Sequence, residues 1–330
     1  MNRTGAAWCI AVACTIAFLA NPAAAQPKAA TPPPPAASEP DVAYAEYQRG
    51  HYITAFREAT RLVEQNSDPK SMSLLGELYA EGIGIAKDDK KAAEWYRLAA
   101  ARGDREAIFA LAIFKMTGRD GPIDRQEGAR LLSEAAKLGH VVAAYDLALL
   151  YLEGQVVPQD FKHAAESMRL AADAGSPEAQ YALATLYKDG RGVTKDLNEA
   201  ARLLAAAARA GNTESEVEYG IALFNGTGVA KDESAAASYF IKAAQKSNPA
   251  AQTRLAWMYA TGRGIKADPV EATRWHLIAR AGGDNDQFLE DFMRNMSPAD
   301  RTLAENKAKP WIARMNAVGP TPSSAPPAKP

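Results

Sequence analysis

The residues best suited to acid–base or metal chemistry are four histidines, His51, His140, His163 and His276, and they stand far apart in the chain. No two of them fall at i, i+4, and the only cysteines, Cys9 and Cys14, lie in the first 14 residues. A metal site needs converging ligands, so the histidines are expected at surface or partly packed positions, with no metal. Ser67-Asp68-Pro69-Lys70 has the spacing of a serine nucleophile with its lysine, but no Ser-Asp-Asn or Lys-Thr-Gly accompanies it. Gly-x-Gly recurs at 82/84, 190/192, 226/228 and 262/264, yet each copy follows a helical pattern and not a strand. Neither a Gly-x-Ser-x-Gly elbow nor a Gly-x-x-x-x-Gly-Lys phosphate loop occurs. The sequence therefore predicts no catalytic residue, no cofactor and no enzyme.

The elements that position these residues are repeats. Gly82, Gly118, Gly154, Gly190, Gly226 and Gly262 fall every 36 residues, and so do Asp88, Asp124, Asp160, Asp196, Asp232 and Asp268. Ala99, Ala135, Ala171, Ala207, Ala243 and Ala279 form a third column, so six units run without an insertion. Within the unit starting at Pro177, Ala179, Leu183, Leu186 and Tyr187 share one face at helical spacing. Gly190 then stops the first helix, because glycine enters the left-handed region cheaply. Asp196 caps the second helix, with Glu199 three residues on to complete a capping box, as in Asp124/Glu127 and Asp268/Glu271. Ala200 and Ala207 are small enough to let the paired helices approach, and Gly211 ends the pair. Asp68, Asp104, Ser176, Asn212 and Asn248 open first helices as caps, and His140 reads as the one poor cap in that series. One helix pair cannot bury its apolar face, but six stacked pairs make a continuous core.

The flanks divide the chain further. Arg3, the apolar run Ala6 to Ala20 and Ala23-Ala24-Ala25 predict a secretory signal peptide over 1–25, too short to serve as a membrane span. Cleavage would remove Arg3 and both cysteines. The 38 basic residues would drop to 37 against 39 acidic ones, a net charge of −2 with no thiol. The expected location is periplasmic or secreted, in a mature form that does not span the membrane. A near-neutral balance disfavours nucleic acid as a partner. Residues 26–41, with Pro32 to Pro35, predict a Pro/Ala-rich disordered linker, and 317–330 a disordered Pro-rich tail. Residues 42–68 are expected to form an N-terminal capping helix pair, 69–284 the six repeats, and 285–316 C-terminal capping helices. The last helix should begin at Ser297-Pro298 and end near Trp311 and Ile312.

The unit Ala179-x-x-x-Leu183-Ala184-x-x-Tyr187-x-x-Gly190-x-Gly192-Val193-x-Lys195-Asp196, continuing to Ala200-Ala201 and Ala207-Ala208-x-x-Gly211, resembles the Sel-one-like repeat (SLR) family, a relative of tetratricopeptide repeats. Leu75-Gly76-x-x-Tyr79-x-x-Gly82-x-Gly84, followed by Lys87-Asp88 and Ala99-Ala100-x-x-Gly103, is nearly as close a match. The second unit departs from the pattern with Lys115 in the tyrosine column and Asp120 at the second loop glycine, and the third has Val156 there. The resemblance implies an all-α fold, a right-handed α-solenoid of helix-turn-helix repeats. It also implies a non-enzymatic scaffold, for an exported chain an adaptor or regulator of envelope signalling or assembly. Its partner would be a protein or peptide in the cell envelope. The competing class is a cell-wall binder or modifier acting on peptidoglycan or glycan, which would require paired carboxylates in a cleft.

In such stacks the first helices line the concave face. That projection places Phe109, Tyr145 and Tyr181 in one column, Ile113, Leu149, Ile221 and Trp257 four residues further on, and Met116, Leu152, Lys188 and Phe224 in a third. Two readings follow, an apolar, aromatic groove for a partner or ordinary packing between neighbouring units.

Overall fold

The computed structural model describes residues 42–318; the expected signal peptide and linker over 1–41 and residues 319–330 lie outside the described residues. These form sixteen helices and no strand. Helices α1 (Val42–Gln48) and α2 (Tyr52–Asn66) precede the repeats. The first helices of the six units are α3 (Pro69–Glu81), α5 (Arg105–Thr117), α7 (Val141–Glu153), α9 (Pro177–Asp189), α11 (Thr213–Asn225) and α13 (Pro249–Thr261). The second helices are α4 (Asp89–Ala100), α6 (Arg125–Lys137), α8 (Phe161–Asp173), α10 (Leu197–Arg209), α12 (Glu233–Gln245) and α14 (Pro269–Ala281). Each helix packs on its pair mate and then on the next unit, and α15 (Gln287–Arg294) and α16 (Pro298–Val318) close the stack.

The repeated residues carry the physics expected of them. The six column glycines after the first helices adopt φ between +69° and +76°. Each unit's aspartate accepts hydrogen bonds from amides in the first turn of its second helix, Asp196 for example from Asn198 and Glu199. The capping box is only half built. The Asp196 N–H donates to the Tyr187 carbonyl at 3.1 Å, and Asp124 and Asp268 donate likewise to Lys115 and Tyr259. With that donor already taken, Glu127, Glu199 and Glu271 turn forward to Arg130, Arg202 and Arg274.

His140 is a working cap, against expectation. Its Nδ1 accepts from Ala143 N–H at 3.0 Å, and its Nε2 lies 3.0 Å from Glu106. An amide can donate only to an unprotonated nitrogen, so Nε2 carries the proton and donates to Glu106. The buried ring stacks on Phe109 at 4.2 Å.

The core is alanine-rich, with Ala92, Ala135, Ala171, Ala207, Ala243 and others fully buried. These small side chains bring the helices close enough for Leu75, Leu132, Met168, Leu183 and Phe240 to fill the remaining space. The second unit resolves its departures internally. The side chain of Asp120 is buried, 2.7 Å from Arg97 and 2.9 Å from Lys115. Burial pushes this carboxyl up, but the hydrogen bonds and charges of Lys115 and Arg97 outweigh that and hold it below the usual carboxylate range. Lys115 and Asp120 thus compensate one another, and the positive φ of that loop moves to Gly121.

The end of the stack keeps the 36-residue register. Lys307 pairs with Glu271 at 2.9 Å, and Trp311 meets Trp275 edge-on at 5.5 Å. Helix α16 therefore fills the slot of a seventh second helix. It runs past Ile312 to Val318, beyond the expected end and through Pro310, because Trp311, Ile312 and Met315 pack on the same cluster as Trp275 and Ile278. The matching first helix, α15, has 8 residues where α13 has 13.

Candidate partner-binding face

The expected columns stand on the first helices, and their residues fall into different environments. Phe109, Tyr145, Leu149, Leu152, Tyr181, Ile113, Ile221 and Phe224 are half-buried. Burial raises the phenols of Tyr145 and Tyr181 above their ordinary value. Met116 is turned toward its own pair mate, and its Cγ would stand 2.4 Å from a Cβ placed on Gly128. Lys188 is exposed and pairs with Glu218 of the next unit at 3.1 Å. Trp257 is the most open aromatic of the set, 40% exposed.

Three of these candidates meet in one place. Ile221, Phe224 and Trp257 line a cleft of about 380 Å³ that runs from α11 across α13 to the start of α15. Phe240 and Met258 form its floor. The indole of Trp257 stacks on Phe288 at 4.1 Å and donates from Nε1 to Asp286 at 3.2 Å, so its orientation is fixed at both edge and face. The guanidinium of Arg263 covers the Phe224 ring at 4.1 Å while pairing with Glu233. The Thr253 hydroxyl donates to Asp284 at 2.8 Å. Arg254, exposed at the rim, makes no hydrogen bond or ion pair among the described residues. An apolar floor, a fixed aromatic wall and a free cation can seat an apolar side chain and a neighbouring carboxylate.

The sequence reading missed Arg254, Thr253, Asp284 and Asp286. The two aspartates carry cap signals, and Asp286 does cap α15 through Leu289 N–H. Arg254 had a signal, because its repeat position holds Leu74, Ala110, Asp146, Ala182 and Glu218 in the other units. A position with no common chemistry is not part of the shared packing. Asp146 is the other unusual member, half-buried and with no hydrogen bond or ion pair among the described residues.

Burial raises the Asp146 carboxyl above its ordinary value. An acid with a raised folded pKa destabilises the fold once pH exceeds the unfolded value near 4, and the cost disappears as pH falls. Asp146→Asn is therefore expected to be more stable than the parent at pH 7 by up to about 1 kcal/mol. The difference in denaturation midpoints should vanish near pH 4, and a constant difference across that range would exclude the titration as its cause.

No histidine joins a metal site, since among the described residues no three of His, Cys, Asp and Glu converge. Each histidine ring instead faces one carboxylate: His51 with Glu46, His140 with Glu106, His163 with Asp160 and His276 with Glu290. His140 and His276 are buried, His276 completely, a correction to the expected surface or partly packed placement. Both are held in the interior by that carboxylate, and His140 also by its capping role. At the Ser-x-x-Lys spacing, Asp68 caps α3 through Ser71 N–H at 2.7 Å, while Ser67 ends α2 in the left-handed region.

The Sel1 repeat model matches this chain six times, over residues 69–104, 105–140, 141–176, 177–212, 213–248 and 249–284. The chain belongs to the Sel1 repeat family. Its structure is similar to that of a Sel1 repeat protein from Oxalobacter formigenes at 24% identity and a TM-score of 0.57, covering 74% of this chain and 96% of that one. It is also similar to c5321, a protective antigen of uropathogenic Escherichia coli with an SLR fold, at 25% identity and a TM-score of 0.53. That likeness covers 84% of this chain and 69% of the antigen. Among curated proteins, none matches. Sel1 repeats are in general non-enzymatic protein-interaction scaffolds, and no described helix here is long and apolar enough to cross a membrane.

Proposed function

We propose that this Sel1 repeat chain is an exported, non-enzymatic scaffold that holds a segment of a cell-envelope protein on its first-helix face. The observation that carries the reading is the cleft at Ile221, Phe224 and Trp257. A tryptophan that is 40% exposed yet fixed by a stacked ring and a hydrogen bond is a pre-organised anchor. Export is supported by the n-region, apolar run and Ala-x-Ala pattern over 1–25.

The test is capture of the tagged protein's partner from its native envelope, followed by affinity measurement on variants. Trp257→Ala and Tyr181→Ala are expected to weaken the captured partner about tenfold. Glu166→Ala, at an exposed position of α8, should leave the affinity unchanged. Equal binding by all three variants, or recovery of glycan fragments alone, would overturn the reading in favour of another surface or of a cell-wall ligand.

A further inference from the structure

We propose that residues 319–330 of this same chain occupy the Trp257 cleft and compete with the partner for it. The proposal rests on the reading of the first-helix face as a binding surface and adds its regulation.

The described chain ends close to the cleft. Helix α16 runs beside α14 in the direction of α14, as the Lys307–Glu271 and Trp311–Trp275 pairs require. Its last turn comes to the turn that follows α14, where Met315 Cε lies 3.5 Å from the Cβ position of Gly282. Gly282 in turn abuts Pro249 at the start of α13, at 3.1 Å. Asp284, Asp286 and Ala250, which line the cleft, are the next residues on either side of that contact. The chain therefore leaves α16 at the turn from which the cleft's rim is built.

Reach and chemistry also suit the segment to the cleft. The segment reads Gly319-Pro320-Thr321-Pro322-Ser323-Ser324-Ala325-Pro326-Pro327-Ala328-Lys329-Pro330. Twelve residues at ~3.1 Å each span ~37 Å, about twice the length of a 13-residue helix such as α13. Proline-rich segments dock on aromatic-lined grooves with little loss of conformational freedom, and the cleft offers the Trp257 ring beside Ile221 and Phe224. Lys329 brings a cation toward Asp284 and Asp286, on a rim that also carries Arg254 and Arg263. Trp257 is 40% exposed even with Phe288 stacked on it, which leaves ring surface for a further contact.

Tethering lets a weak contact matter. A short flexible tether gives an effective concentration of order 1 mM, so a segment that binds with Kd of ~0.1–1 mM as a free peptide is docked for half of the time or more. A partner must displace it, which lowers the partner's apparent affinity by about 2- to 10-fold.

The experiment follows the indole N–H signals of the full chain by NMR, with Trp95 and Trp275 as internal controls. Pro326→Ser, Pro327→Ser and Lys329→Glu, combined in the full chain, are expected to shift the Trp257 signal and leave both controls in place. A synthetic peptide of residues 319–330, added to that variant, should return the Trp257 signal with Kd of ~0.1–1 mM. A Trp257 signal that ignores both the substitutions and several millimolar peptide overturns the proposal. A shift in the parent that depends on protein concentration also overturns it, by assigning the contact to the segment of a second copy. The envelope partner separates this proposal from the one beneath it. If that partner binds parent and tail variant equally and still needs Trp257, the binding face stands and the competition fails. If the tail peptide binds while no Trp257-dependent partner exists, the competition lacks its object and the scaffold reading fails.

Discussion

Gly228→Ala is expected to destabilise the protein by about 3 kcal/mol or more, through a clash between units and not through backbone strain alone. Gly228 has φ of +70°, and a Cβ built on it would stand 1.9 Å from the Leu197 carbonyl oxygen and 2.4 Å from its carbon. Gly192 meets Phe161 O at 2.0 Å in the same way, and Gly264 meets Glu233 O at 2.1 Å. In the fourth, fifth and sixth units the second loop glycine is therefore the point at which the unit rests on the second helix of the unit before. Backbone has no rotamer with which to retreat, so an added methyl must lift the loop of the fifth unit from α10. Gly211→Ala is the matched control. Its φ is +91°, but the nearest atom to an added Cβ is Lys246 Nζ at 3.8 Å, an ordinary contact distance, so only the left-handed conformation costs, about 1 kcal/mol. Denaturant unfolding of both variants checks this. Equal losses would show that the close approach yields without cost and that conformation alone explains the loop glycine.

The same glycine explains what the sequence could and could not reveal. A 36-residue column of Gly, Asp and Ala specifies local events, namely a helix stop, a cap and a close helix contact, and each depends on one residue's own conformational preference or size. The helices followed those columns. Features that depend on two residues far apart in the chain were hidden. Lys115 and Asp120 each read as a departure from the repeat, while in space they form one ion pair with Arg97. His140 read as the one poor cap in its series, and what suits it to the role is Glu106 on Nε2, which leaves Nδ1 free to accept from Ala143. The candidate face was legible as columns, but its cleft was not. The cleft forms where side chains of α11, α12 and α13 meet Asp284 and Asp286 of the turn before α15, a convergence of residues far apart in the chain that no single repeat column marks.

Lys246→Met is expected to cost about 2–4 kcal/mol, and Glu216→Gln in the same chain to recover most of it. Glu216 lies in α11 with 2% exposure, and Lys246 Nζ reaches its Oε1 at 2.8 Å and the Gly211 carbonyl at 2.9 Å. The other carboxylate oxygen has no partner, and neither has the adjacent buried hydroxyl of Ser215. Losing the ammonium leaves a buried charge uncompensated, whereas a glutamine amide carries no charge to compensate. The position of the pair decides what the loss should look like. Two apolar clusters meet here, one ending at Leu204 of α10 and the next beginning at Val217 of α11, with Tyr219 packed against both. A small cavity of about 90 Å³, lined by Leu197, Leu204 and Ile221, sits in the same joint. In a linear stack each unit is held only by its neighbours, so a weakened joint should separate the chain's cooperativity instead of lowering it evenly. Hydrogen exchange of Lys246→Met should show α11 to α14 opening together at lower free energy than α3 to α10. A uniform loss of protection across all six units would mean that the joint between the fourth and fifth is as strong as the rest. Recovery of cooperativity by Glu216→Gln would identify the uncompensated carboxylate as the cause. The Trp257 cleft lies wholly on the C-terminal side of this joint, so the segment that opens first is also the one that carries the proposed binding site.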